Sequence, residues 1–498
     1  MRASGVLMHI SSLPSSYGIG TIGKEAYKFI DFLKRAGQSY WQMLPVGPTS
    51  YGDSPYQSFS AFAGNPYFID LKLLCKNGYL KEEECEKWIW GSSAAEVDYE
   101  ALYTNRFKLF RKVQKRFQKR LPEDYATFCE EQKDWLEDYA LFMALKQRYG
   151  GSAWITWPKP VRMREPQVLE EEKQHLEKEI EFHKMLQYLF YDQWKKLRIY
   201  AQKKKIQMIG DIPIYVALDS ADVWANPEQF YLNEDLEPID VAGCPPDAFC
   251  EDGQLWGNPL FRWDVMKKDG YEWWTRRVKH TMTLFDVVRI DHFRGFESYY
   301  AIPATEDTAR NGEWRKGPGL DLFHVMEQKL GKLNIIAEDL GFLTDSVREM
   351  LEDSGYPGMK VLQFAFDGDA SNCYLPHHYT KNSVVYTGTH DNDTVLGWKK
   401  NASKATIRFA RKYMIYKKKE GFTWGMMRLA WSSVSDLAIV TMQDLLELGS
   451  EARMNTPSTL GGNWTWRMLP QEADDVRIAK KMKKYMRCYD RLPKKKKK

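Results

Sequence analysis

The chain has 498 residues, 43% hydrophobic and 28% charged, the balance of a globular protein able to bury a large core. Its formal charge of +5 is matched by the terminal run Lys494–Lys498, so the body is near neutral, which argues against a nucleic-acid-binding face. No stretch approaches the ~18 uninterrupted apolar residues of a membrane span, and MRASGVLMHISS at the start lacks a signal-peptide h-region.

Seven scattered cysteines show neither a zinc spacing nor a disulfide framework, so a reducing cytoplasm is expected. The lysine run 494–498 is expected to be a solvated, disordered end.

Short, near-continuously apolar runs recur along the chain, as parallel strands covered on both faces require. They are 5-GVLMHI-10, 40-YWQMLPV-46, 206-IQMIGDIPIYV-216, 286-DVVRI-290, 334-NIIAE-338, 359-MKVLQFAF-366, 383-SVVYTGT-389 and 437-LAIVTMQDLL-446. Helical stretches precede most of them. Residues 23–37 carry apolar positions at three- and four-residue spacing and close on Gly37, and 319–331, 344–355 and 403–419 also read as helices. Eight strands alternating with helices predict an α/β fold, a closed (β/α)8 TIM barrel, with 1–498 as a single catalytic unit.

Two excursions interrupt the alternation. Residues 72–200, after the second strand, read as a mainly helical insertion whose charge runs, such as 104–120 and 168–205, are solvated faces. Residues 217–285, after the third strand, read as loop-rich, with 244–259 mixing stiff prolines and flexible glycines in a loop that could cover substrate. Both follow a strand, so both are expected on the C-terminal face of the barrel, where active sites form.

Three acids stand where apolar runs give way to polar loops: Asp291 in RIDHFRG, Glu338 in IIAEDLG and Asp391 in THDND. Two carboxylates at suitable separation can cleave a glycosidic bond. Arg289 lies two residues before Asp291 and shares its strand face. It is expected to hold the Asp291 pKa down and fix the carboxylate. Glu338 follows buried residues, so desolvation should raise its pKa, as a general acid requires. Asp339 points the other way and reads as structural. A plain Arg–Asp ion pair and a metal site remain open on these residues alone, although nine histidines in the whole chain are few for the latter. The aromatic content of 14%, with 18 tryptophans, and the Tyr-, Ser- and Asn-rich segment 47–71 suit a sugar groove.

Taken in order, SGVLMHISSLPSSYGIG, GPTSYGDSPYQSFSAFAGNPY, GDIPIYVALDSADVWANP, AGCPPDAF, GQLWGNPLF, RIDHFRGF, IIAEDLG, TGTHDNDT and 460-LGGNWTWR-467 cover nearly the whole chain. Together they resemble the amylomaltases, the 4-α-glucanotransferases or disproportionating enzymes of the α-amylase clan. The resemblance implies a retaining mechanism with Asp291 as nucleophile, Glu338 as general acid/base and Asp391 as transition-state stabiliser. It also implies that Arg289 and His390 assist at the cleaved bond, and that Tyr56, Asp211, Asp247, Trp256 and Asn463 line donor and acceptor subsites.

Ala248, beside Phe249, stands where the family often has Tyr, which removes one acceptor-side aromatic contact. The implied partners are an α-1,4-glucan donor and a glucose or maltooligosaccharide acceptor. No metal or organic cofactor, nucleic acid or membrane is expected; monomer and weak dimer both stay open. Retention requires the Asp291 and Glu338 carboxyls to lie about 5–5.5 Å apart. A hydrolase using the same acids and a catalytically silent glucan-binding barrel are the competing functions.

Overall fold

The structure, a computed structural model, describes residues 2–50, 52–246, 251–341, 343–459 and 461–493. Its strands in chain order begin with β1 (Ala3–Leu7), β2 (Tyr40–Gln42), β3 (Gln207–Ile212), β4 (Asp240–Cys244), β5 (Gln254–Pro259) and β6 (Val287–Ile290). They continue with β7 (Ser298–Pro303), β8 (Glu313–Lys316), β9 (Ile335–Ala337), β10 (Gly358–Val361), β11 (Ser383–Tyr386) and β12 (Leu437–Thr441).

Eight of these close into a parallel barrel in the order β1-β12-β11-β10-β9-β6-β3-β2. Each apolar run read from the sequence overlaps one barrel strand. The strands are shorter than the runs, partly because proline has no N–H for the ladder: β3 stops at Ile212, before Pro213. Strands such as β11 and β12 are rich in Val and Ile and almost wholly buried, since barrel interior and surrounding helices cover both faces.

The helix Lys24–Arg35 shows how the outer layer is held. Ala26, Phe29, Ile30 and Leu33 share its buried face, and Gly37 takes a positive φ of 72° to turn the chain into β2. Between β2 and β3 the chain is helical, as its charge-rich sequence predicts. The helix Glu177–Lys204 has 28 residues and so runs about 42 Å. Its apolar face lies on the helix Lys133–Arg148 and, elsewhere along its length, on Lys24–Arg35.

The segment after β3 differs from its loop-rich reading. It contains β4 and β5, besides the helices Ala221–Ala225, Trp263–Lys268 and Glu272–Leu284. With β7 and β8 these strands form an antiparallel sheet in the order β5-β4-β7-β8, beside the turn that follows β6. Gly243, Gly257 and Pro259 dilute its apolar pattern, so the sheet exists through pairing between distant segments rather than through local preference. Among the described residues no helix is long and apolar enough to cross a membrane.

Candidate active site

The barrel ladder itself delivers two of the acids to one rim. Asp291 is the first residue beyond β6 and donates its N–H to Ile212 O at 2.9 Å; Glu338 is the first beyond β9 and donates to Ile290 O at 3.0 Å. Asp391 sits five residues beyond the end of β11, in a turn pinned from two sides. Asn392 Oδ1 accepts the Thr389 N–H at 2.8 Å, and the buried Asp444 accepts from Thr387 Oγ1 at 2.6 Å and the Val395 N–H at 2.8 Å.

Behind the acids lies a buried ionic layer. Arg289 Nη1 donates to both oxygens of Asp211, at 2.8 and 2.6 Å, while its Nη2 lies 2.9 Å from Asp291 Oδ1. The side chains of Arg289 and Asp211 are 3% and 0% exposed, against 29% for Asp291 and 41% for Asp391. The Asp211 side chain, expected among the subsite residues, is fully buried in this structure. It sits beneath, neutralising Arg289.

The Tyr56 hydroxyl donates to Asp211 Oδ2 at 2.9 Å, and its ring stacks on His390 with centroids 5.0 Å apart. Trp464 completes an aromatic triangle, 5.9 Å from each. Glu338 is clamped by backbone: Oε2 accepts the His292 N–H at 2.8 Å and Oε1 the Leu340 N–H at 2.7 Å. Because His292 follows Asp291 directly, this bond ties the acid to the turn that carries its partner. Asp339 is buried and accepts the Met359 N–H at 2.5 Å, which fits its structural reading.

Electrostatics separate the three carboxyls. Burial and then the negative charge of Asp291 push Glu338 up to about 7, against the lowering pull of Arg289 and the two backbone donors. Burial also raises Asp291. Arg289 pulls it down as expected, but burial, the larger effect, together with the charges of Asp211 and Asp391, outweighs that pull and leaves Asp291 raised. Burial would raise Asp391 as well, but the His390 charge and hydrogen bonds from His390 and Asn455 outweigh it and bring it down to about 2. His390 moves the other way: burial lowers its pKa, yet Asp391, whose Oδ2 is 3.2 Å from Nε2, raises it overall. Glu338 is thus protonatable near neutrality and Asp391 is held as a carboxylate, while Asp291 stands above the ordinary aspartate value.

The sequence model of the 4-alpha-glucanotransferases matches residues 8–472. The chain belongs to the 4-alpha-glucanotransferase family. A family relative from Clostridium butyricum is 51% identical over 489 residues, covering 97% of this chain and 100% of its own. One from Thermus thermophilus is 49% identical over 482 residues, covering 95% of each chain. The solved amylomaltase of Streptococcus agalactiae in complex with acarbose is 42% identical. It superposes with a TM-score of 0.97 over 99% of this chain and 100% of that one.

Of the residues that resemblance to the 4-alpha-glucanotransferases singles out, Tyr56, Asp211, Arg289 and His390 link Asp291 and Asp391 in one network, while Glu338 is tied to the turn after Asp291 through the His292 N–H. Trp256, on β5, is half-buried and meets His292 edge to face at 4.8 Å, beside Asp291. The Asn463 side chain is spent on its own loop: Oδ1 accepts the Thr456 N–H at 2.9 Å and Nδ2 donates to Thr459 O at 3.1 Å. Asp247, with Ala248 and Phe249, lies outside the described residues.

Sequence reasoning missed Arg453, Asn455 and Asp444, which hold the Asp391 turn, and gave Trp464 no role. The motif LGGNWTWR contains Trp464. Nothing local marked Asn455.

Proposed function

We propose that this protein is a retaining 4-α-glucanotransferase in which Asp291 is the nucleophile, Glu338 the general acid/base and Asp391 the transition-state stabiliser. Glu338 protonates the leaving glycosidic oxygen while Asp291 attacks the anomeric carbon, giving a glucan chain esterified to Asp291. Glu338, now ionised, takes the proton from the 4-hydroxyl of an incoming glucose or maltooligosaccharide, which displaces Asp291 and restores an α-1,4 bond. Asp391 accepts hydrogen bonds from hydroxyls of the distorted sugar.

The observation that carries this assignment is the split within the adjacent pair. Burial and the negative charge of Asp291 keep Glu338 protonated up to about pH 7. A carboxylate to attack and a carboxylic acid to protonate then coexist near neutrality. Tyr56, His390, Trp256 and Trp464 are taken to shape the groove around them, with Arg289 and Asp211 acting from beneath. Transfer wins over hydrolysis where the groove holds an acceptor in line and leaves water poorly placed.

The excursions 72–200 and 217–285 are taken as insertions in one catalytic barrel. Asp247 and Asn463 are retained as subsite residues that come into play with a glucan bound. A cytoplasmic setting suits the free thiols of Cys75, Cys85, Cys129, Cys373 and Cys488.

Incubation with maltotriose tests the activity. A transferase releases glucose and builds a ladder of longer chains while the number of reducing ends stays constant. Glucose and maltose alone, with reducing ends rising, would identify a hydrolase, and an unchanged maltotriose pool would identify a silent binding barrel.

A further inference from the structure

The carboxylate of Asp391 is gripped from two sides. His390, its chain neighbour, approaches Oδ2 at 3.2 Å. Asn455, 64 residues further along the chain, donates from Nδ2 to Oδ1 at 2.6 Å. Two further bonds join the same segments: the Asn455 N–H donates to His390 O at 3.1 Å, and Arg453 Nη2 to Asp391 O at 2.6 Å. Arg453 also bonds Asn455 O through Nε at 2.7 Å, so the hook is braced on its own strand of chain. Just beyond it, Trp464 donates its N–H to Met454 O at 2.6 Å, closing the loop that presents Trp464 to Tyr56 and His390.

We propose that Asn455 is a positioning residue for catalysis, with Arg453 as its brace, fixing the rotamer of Asp391 so that its free lone pairs face the sugar. This rests on the assignment of Asp391 as stabiliser. A side chain that merely staples two loops needs only their backbones, and the backbone bonds already do that. The bond to Oδ1 adds something else. With one oxygen held by an imidazole and the other by an amide, the carboxylate cannot rotate away when sugar hydroxyls bind, and it can donate nothing because it stays ionised. An amide is the fitting partner for this. It donates without adding charge, whereas a carboxylate at 455 would repel Asp391 or share a proton with it.

The groups facing Asp391 are His390 and Asn455 in direct contact and, further off, Arg289, Asp291 and Tyr56. Removing Asn455 therefore leaves His390 as the only strong donor to the carboxylate among the described residues, and only at Oδ2.

The test compares wild type with Asn455→Ala, Asn455→Asp and Asp391→Asn in maltotriose disproportionation across pH. Asn455→Ala should lower kcat about ten- to a hundredfold with KM within about twofold and an unchanged melting temperature. Asn455→Asp, whose ionised carboxylate can donate nothing to Asp391 Oδ1 and repels it, should be at least as impaired in kcat as Asn455→Ala at neutral pH.

A kcat for Asn455→Ala within twofold of wild type, or a KM that rises in step with the fall in kcat, would overturn the proposal. So would activity lost only in parallel with the melting temperature. Asp391→Asn separates the two levels of inference. If it retains full activity, the assignment of Asp391 is wrong; if it is dead while Asn455→Ala is normal, only the role of Asn455 is wrong.

Discussion

Arg289 Nη1 lies 2.8 and 2.6 Å from the two carboxylate oxygens of Asp211, and neither side chain reaches solvent beyond 3%. The pair is set by the barrel register, in which Asp211 on β3 stands opposite Arg289 on β6. A buried guanidinium without its carboxylate is costly, because desolvation of the charge is no longer offset. Asp211→Ala should lose about 3–5 kcal/mol of unfolding free energy by that mechanism. Chemical denaturation at neutral pH checks it, and a loss within experimental error would mean that the site relaxes to let water in.

Tyr56 joins this pair to the groove. Tyr56→Phe removes the 2.9 Å bond to Asp211 but keeps the ring stacked on His390. A hydrogen bond to a charged group contributes about 1.5–3 kcal/mol, so kcat on maltotriose should fall roughly tenfold or somewhat more. Tyr56→Ala, which removes the stack too, should fall further in steady-state assays.

The pH profile follows from the two unequal carboxyls. Glu338 must be protonated to act on the leaving oxygen, so kcat/KM should decline as pH rises through about 7. Asp291 must be ionised, so activity should also fall on the acid side, at a pH above the ordinary aspartate range because burial raises that group. The apparent values belong to the pair rather than to either residue. Glu338→Gln should abolish the alkaline limb with an activated donor whose leaving group needs no proton.

Stability should respond to the same group. The folded-state pKa of Glu338 stands above its unfolded value, so its favourable contribution is complete below about pH 4.5 and lost as pH rises through about 7. Glu338→Gln cannot ionise and escapes that loss. Its denaturation midpoint should match wild type near pH 4 and exceed it at pH 8.5. Asp391 has the opposite sign: its contribution is full above the normal aspartate value and is lost only as pH falls through about 2.

Much of this molecule is legible in its sequence for physical reasons. Barrel strands are buried on both faces, so VVRI, IIA and SVVY announce themselves, and the acids that end β6 and β9 mark the catalytic rim. The antiparallel sheet is not legible, because DVAGC and QLWGNP carry glycine and proline and gain their strand character from pairing with each other and, for DVAGC, with SYYAIP. Nor is the sign of the Asp291 shift. The local RID spacing shows one guanidinium beside one carboxylate, while the burial that raises Asp291 comes with the closed barrel and the register adds the charge of Asp211. Asn455 sits in NTPST, a stretch that reads as a turn, and its contact with Asp391 exists only once the barrel closes.

The covalent step at Asp291 is the centre of this account, and trapping it is the most direct measurement. In Glu338→Gln, an α-maltosyl fluoride donor can still load the nucleophile, since fluoride leaves without a proton. The second step is starved of its base. Peptide mass spectrometry after rapid quenching should find one maltosyl group on the peptide that carries Asp291, and none in the Asp291→Asn/Glu338→Gln double variant. A maltosyl group on another residue, or complete turnover of the fluoride with no labelled peptide and with inversion at the anomeric carbon, would contradict it.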